Sequence, residues 1–472
     1  MSPSILRAGF ARASITPSLA VPHAGWGAQT HLLADGVHRD LFVSVLILSQ
    51  DDAERPVRTA LVEFDLVGLY GLEASIQQAV GDEAGIDPDE VRVSVTHNHA
   101  NPVMWNNWIG GRPDQVDAYR AGLPIAAAGA ARAAKLAERP VRSAAGVGLS
   151  TIGRNRRQTI RDPDGTDRVI VGRDDAGVTD PEVTVVRFDE LGGRPYAAIL
   201  GYACHPTTLG PDNRMHSPDY PGVAKAVFEA ATGAPALFLQ GAAGNVGPRH
   251  GFVGDVAVVE RLGTELGLEA ARTFVELDTR PVELTFSHPR ESGATLAMWT
   301  ETELPDAPPP LRATRRTVAL PLRPQPPQAE ARAAYEQWRD ELARVTSDGS
   351  SAAEIEATMF RARRAQMALT RATTYGGRDT IDVTVEVLRI GDVALVGCNG
   401  EPFCEIGLAV KAASPFRITF FGGYTGPSLG YIPWPDAYEQ GGYEVETTPY
   451  ASEAAQRLVE AVGDALDSVQ RP

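Results

Sequence analysis

Short runs of β-branched residues alternate along the chain with stretches whose apolar side chains recur at helical spacing, and this alternation restricts the fold most. Strands are expected over residues 41–48, 58–64, 91–96, 182–188, 196–204, 236–239, 383–388 and 393–397, each bounded by Gly, Pro or Asp. Helices are expected over 115–138, 222–231, 255–274 and 451–469. Interleaved strands and helices favour an α/β protein with layered mixed β-sheets flanked by helices over an all-β sandwich or a helical bundle. The character changes at Pro305. Pro308, Pro309 and Pro310, then Pro324, Pro326 and Pro327, cannot lie inside a helix or a central strand, so they mark connections around a short strand. Two apolar stripes follow, one of Tyr335, Trp338, Leu342 and Val345, the other of Ile355, Met359, Ala362 and Leu369, as in an antiparallel helical hairpin. The organisation expected is one body formed by 1–304 and 375–472, with 305–374 as a Pro-rich connection and a helical insertion.

Charge and cysteine content narrow the function classes. With 44 basic and 60 acidic side chains the formal net charge is −16, which repels nucleic acid and anionic membrane surfaces. Cys204, Cys398 and Cys404 form no Cys-x-x-Cys pair, so neither a disulfide framework nor a thiolate zinc site is indicated. The first residues lack a signal-peptide core, and no apolar run approaches the ~18 residues of a membrane helix. A cytoplasmic protein acting on a small-molecule substrate is expected, and a homo-oligomer is compatible with the sequence.

Several local patterns carry chemistry. Thr96-His97-Asn98-His99 closes a buried strand, so that His97 and His99 project to one side of its C-terminal end. His205-Pro206 ends another strand and exposes an imidazole at its edge. The loop Gly241-Ala242-Ala243-Gly244-Asn245-Val246-Gly247-Pro248 is built of residues that permit close backbone approach and free N–H groups for an oxyanion, but it lacks the ending of a phosphate loop. Glu401 sits at a strand-to-helix junction in Gly400-Glu401-Pro402-Phe403, and Tyr431 and Tyr443 lie on glycine-flanked turns.

In order and spacing, Ala13-Ser14-Ile15-Thr16-Pro17, Thr96-His97-Asn98-His99, His205-Pro206-Thr207, Gln240-Gly241-Ala242-Ala243-Gly244-Asn245-Val246, Gly400-Glu401-Pro402-Phe403, Gly430-Tyr431-Ile432-Pro433 and Gly442-Tyr443-Glu444 together resemble the neutral, non-lysosomal ceramidase family. The resemblance spans nearly the whole chain and is weakest over 279–374. It implies the catalytic domain of that fold without a C-terminal immunoglobulin-like domain. It also implies one Zn²⁺ per chain held by His97, His205, Glu401 and Tyr431. His99 would be an acid/base or orienting group, Tyr443 a donor to the substrate oxyanion, and Arg156 a substrate-anchoring cation with Arg154 and Arg157 as adjacent alternatives.

The chain departs from the family where its members carry Gly-Asp-Val-Ser-Pro. Here the segment reads Gly244-Asn245-Val246-Gly247-Pro248, so both the acid and the serine are gone. The expected function is therefore a zinc-dependent amidohydrolase that cleaves a carboxamide in a small soluble substrate through zinc-activated water, with Gly244, Asn245 and Gly247 forming the substrate loop. Ester or lactone hydrolysis and non-hydrolytic metal-dependent binding are the alternatives, and ceramide itself is expected not to be turned over. Trp105, Trp108 and Trp434 are candidate pocket walls, His250 a candidate to fill the space left by the serine, and Asp65 and Asp219 carboxylates of unknown position that leave a second metal open.

Overall fold

In the computed structural model the described residues are 5–23, 25–51, 56–104, 112–305 and 309–470, which leaves Trp105, Trp108 and Pro308 outside them. Two sheets carry the architecture. The larger has eight strands in the spatial order Ala236–Gln240, Pro195–Tyr202, Glu182–Glu190, Arg139–Leu149, Leu6–Ser14, Phe42–Gln50, Val57–Phe64 and Val91–Val95. Its outermost pair at each end is parallel, and the strands between pair antiparallel. The smaller sheet runs Leu311–Pro321, Thr380–Ile390, Val393–Cys398 and Ile418–Gly422, of which the last two are parallel.

The strands read from β-branched runs are present with their ends moved by a few residues. Leu6–Ser14 and Arg139–Leu149 were not expected, because their sequences are dominated by Ala, Gly, Ser and Arg, residues that carry little strand preference of their own. Strand Leu311–Pro321 lies inside the stretch expected to be an insertion, yet it pairs along its whole length with Thr380–Ile390 and buries Leu311 and Leu320. Prolines bound this strand instead of separating it from the main sheet. The two helices that follow, Gln328–Ser347 and Ala352–Tyr375, bury few side chains of their own.

Alternation across each strand puts one face of each sheet against the other. Leu46, Leu48, Leu61, Phe188, Ile199, Leu237 and Leu239 of the large sheet meet Leu388, Ile390, Leu395, Ile418 and Phe420 of the small one. Helices cover the outer faces. Glu73–Ala84 and Pro113–Leu136 pack on Val43, Val45 and Val62, while Asp219–Thr232 and Val256–Glu276 pack on Val183, Val185, Leu200 and Phe238. Cys404–Ala413 and Ala454–Gln470 cover the small sheet. The molecule is thus four layers, helices on sheet on sheet on helices. A separate two-stranded ribbon, Val282–Arg290 with Leu296–Glu303, exposes Phe286 and Trp299 as a cross-strand pair. No helix among the described residues is long and apolar enough to cross a membrane.

Candidate metal centre

Parallel strands from both ends of the large sheet and from one edge of the small sheet lead into one place, where their C-terminal extensions meet. Val91–Val95 leads into His97 and His99, Pro195–Tyr202 into His205, Val393–Cys398 into Glu401 and Ile418–Gly422 into Tyr424. Short bridges tie each end of the large sheet to that edge of the small one, Ser94 to Thr425 and Gly241 to Gly422. His97 and Tyr424 adopt left-handed backbone conformations, φ 64° and 58°. Each such residue costs about 1–3 kcal/mol, which surrounding contacts must offset.

Three imidazoles converge. Ring nitrogens of His97, His99 and His205, one from each and placed so that they could hold a metal, all lie within 4.8 Å of one another. Main-chain carbonyls fix each ring: His99 Nδ1 donates to Gly25 O at 2.7 Å, His205 Nδ1 to Ala243 O at 3.3 Å, and His97 to Val67. A carbonyl oxygen only accepts, so the Nδ1 atoms of His99 and His205 carry the protons and both Nε2 atoms are lone pairs. These two Nε2 atoms stand 3.1 Å apart. Protonating one would relieve the repulsion, but burial opposes it, lowering His99 to about 4 and His97 and His205 well below the usual histidine range. A divalent cation between the lone pairs satisfies them without a proton.

Glu401 adds the carboxylate. Residues 401–402 pair in parallel with Tyr431–Ile432, with Glu401 opposite Tyr431. Its Oε2 lies 3.5 Å from His97 Nε2, is buried and has no hydrogen-bond partner. Burial raises this carboxyl to about 7, against the pull of Arg156. Two imidazoles, a carboxylate and a phenol oxygen, with a third imidazole beside them, form a donor set that suits zinc. An orphaned buried carboxylate oxygen facing a lone-pair nitrogen is the pattern such an ion would complete.

Arg156 faces the centre, but both of its bonded nitrogens are committed. Its Nε donates to Glu444 at 2.8 Å and one Nη to the Tyr431 hydroxyl at 3.1 Å. Arg157 holds the other Glu444 oxygen at 3.1 Å, whereas Arg154 turns outward to Asp175. In this geometry Arg156 positions Tyr431. Glu444, only 1% exposed, is the buried counter-charge that holds both arginines. Tyr443 is 41% exposed, its ring 5.8 Å from that of Tyr431, so this residue stands at the mouth, between Tyr431 and solvent.

The glycine loop packs against the Glu401 turn. Gly244 N–H donates to Pro402 O, and a side chain here would meet the Glu401 carbonyl at 2.5 Å. Asn245 bridges Glu405 and the Cys404 N–H through its carboxamide. Both residues therefore brace the turn that presents Glu401, and neither of these donors is free for an oxyanion. Gly247, paired with Arg154, differs: a Cβ there would find Arg156 and Thr207 at 3.6–3.8 Å, ordinary contact distance.

Other expectations fall elsewhere. His250 is at the surface, bonded to Arg261, and does not fill the space beside Gly247. Asp65 is buried against Lys225, and Asp219 accepts backbone N–H groups of Leu209 and Tyr220, so neither joins the centre. Trp434 packs on Phe403 and Tyr438 as core, while Trp105 and Trp108 lie outside the described residues. Three neighbours of the centre were not anticipated. Tyr424 places its ring 4.5 Å from that of His97 and its hydroxyl 3.4 Å from His205 Nδ1. Trp26 lies 5.0 Å from the His99 ring, and Tyr70, left-handed at φ 48°, is within electrostatic reach of Glu401 and Tyr443.

Fold and centre together define a layered α/β protein with a buried histidine–carboxylate site able to hold a metal. Its fold is that of the neutral ceramidases: the chain matches the structure of neutral ceramidase from Pseudomonas aeruginosa with a TM-score of 0.66 at 17% identity, covering 99% of this chain and 75% of that one. A ceramidase structure described as complexed with C2 matches with the same values. No family profile matches the sequence, and no curated protein matches it.

Proposed function

We propose that the chain is a zinc-dependent hydrolase that cleaves a carboxamide bond in a small-molecule substrate, with one Zn²⁺ held by His97, His205, Glu401 and Tyr431. The observation that carries this reading is the convergence of three buried imidazoles, with ring nitrogens of His97, His99 and His205 within 4.8 Å of one another and the orphaned Glu401 Oε2 3.5 Å from His97 Nε2. The resemblance of the fold to ceramidases, which are amide hydrolases, supports the choice of bond.

The ion, when bound, supplies Lewis acidity toward a substrate carbonyl and toward water. The side chains do the rest. His99, with Nδ1 committed to Gly25, presents Nε2 as the acceptor for a proton from the attacking water and as the donor that returns it to the leaving amine as the C–N bond breaks. Tyr443, at the mouth, donates its hydroxyl to the carbonyl oxygen as negative charge develops there. Arg156, clamped by Glu444, fixes the Tyr431 hydroxyl. This scheme needs no side-chain nucleophile, which agrees with Gly247 in place of a serine.

Elemental analysis, with activity before and after chelation against small N-acyl amides and esters, tests the proposal. About one zinc per chain and chelator-sensitive amide cleavage are expected. A protein that holds no metal and takes none up from added zinc would overturn it.

A further inference from the structure

The hairpin helix Ala352–Tyr375 is fastened to the centre's own loops at two points. Arg363 donates to Gly27 O and, at 3.3 Å, to Gln29 O, in the loop whose Gly25 and Trp26 hold His99. Three turns on, the Tyr375 hydroxyl donates to Leu429 O, two residues before Tyr431. Residues 363, 367, 371 and 375 recur every fourth position and so lie along one side of the helix. The twelve residues between the fastenings span ~18 Å, about the width of a small ligand site. The face between them therefore runs along the mouth, from the His99 side to the Tyr431 side.

That face carries Met367, 40% exposed, and Arg371. The Nε of Arg371 is buried without a hydrogen-bond partner, and no ion pair of this guanidinium with a carboxylate occurs among the described residues. Arg323 lies beside it, bonded through one nitrogen to the Glu446 carbonyl and likewise without a carboxylate partner. Burial and then the Arg323 charge lower the Arg371 pKa, and the Arg371 cation acts in turn on the Tyr443 phenol at the mouth. Other arginines without an acid, such as Arg92 and Arg389, spend their donors on several main-chain carbonyls, whereas the Arg371 Nε has none and Arg323 bonds the Glu446 carbonyl through one nitrogen. Guanidinium forks match carboxylate geometry, and an uncompensated pair of them favours an anion.

We propose that Arg371, with Arg323 beside it, forms a carboxylate-binding subsite at the mouth of the centre, so that the amides this chain cleaves carry a carboxylate away from the scissile bond. Met367 supplies an apolar contact next to that subsite, which suits an N-acyl amino acid with a short aliphatic acyl chain. The substrate class rests on the hydrolase reading; the subsite does not.

The zinc-loaded full-length protein is assayed with N-hexanoylglycine and its methyl ester, and binding of both is titrated calorimetrically to the wild type, R371Q and R323Q. The wild type is expected to favour the acid at least tenfold, in kcat/KM and in Kd, as a charge-assisted pair provides. In R371Q that ratio is expected to fall close to one, and in R323Q to fall partway. If neither compound is hydrolysed, an acid preference in binding that R371Q removes still supports the subsite while removing the amidase reading. Equal binding of acid and ester by the wild type, or an acid preference that persists in both variants, overturns the proposal. R323Q keeps the test decisive should R371Q fail to fold.

Discussion

At the scale of single residues, the centre divides into groups whose type announces them and groups that only the fold brings in. His97, His99 and His205 were readable because histidines at strand ends are unusual and two of them share a side of the chain. Glu444 and Tyr424 were not, because nothing local separates a buried counter-ion from an exposed acid, or a ligand-packing tyrosine from a core one. His97→Ala or His205→Ala should abolish zinc retention, read by elemental analysis after desalting, while Gly247→Ser should retain it, since a Cβ there meets its neighbours at ordinary contact distance. Retention in both histidine variants would sink the ligand assignment.

A second histidine responds to pH instead. His216 is fully buried, its two ring nitrogens have no hydrogen-bond partner, and burial lowers its pKa to about 4. The unfolded chain binds this proton near the ordinary value of ~6.5, so stability is complete above that pH and declines as pH falls toward 4. The share from His216 is roughly 3 kcal/mol by linkage. Chemical denaturation of wild type and His216→Gln at pH 7 and pH 5 measures it, the variant showing the smaller loss; equal losses would mean that His216 titrates normally in the folded protein.

At the scale of elements, β-branched runs identified the strands that lie deepest, whereas Leu6–Ser14 and Arg139–Leu149 become strands through their neighbours. Small residues in such strands are there for packing. Gly201 is an example: a Cβ would stand 2.5 Å from the Phe420 ring, where the two sheets touch. Gly201→Ala should destabilise the protein by about 1–3 kcal/mol through overpacking, lowering the denaturation midpoint. An unchanged midpoint would show that the sheets can separate slightly without cost. Prolines misled the reading of Leu311–Pro321, because their exclusion from a strand's interior says nothing about whether the strand between them joins the core.

At the scale of the whole molecule, the sequence conveyed the class of fold but not why two sheets are needed. Each supplies proposed ligands that the other lacks: His97 and His205 extend from the large sheet, Glu401 from the small one, with Tyr431 laid beside it. Their meeting depends on the buried face between the sheets, which is invisible in any one segment. Against a net charge of −16, Arg371 and Arg323, neither with a carboxylate partner among the described residues, are a local positive contrast.

The exposed turn between the hairpin helices, with Gly349 at φ 68°, divides the chain between its two pairs of proposed ligands. Cut there, the polypeptide becomes two halves, one bearing the histidines and the other Glu401 and Tyr431. Neither half alone should retain zinc through gel filtration, while the recombined halves should. The ion would then act as a molecular latch, and its uptake would count reassembled pairs.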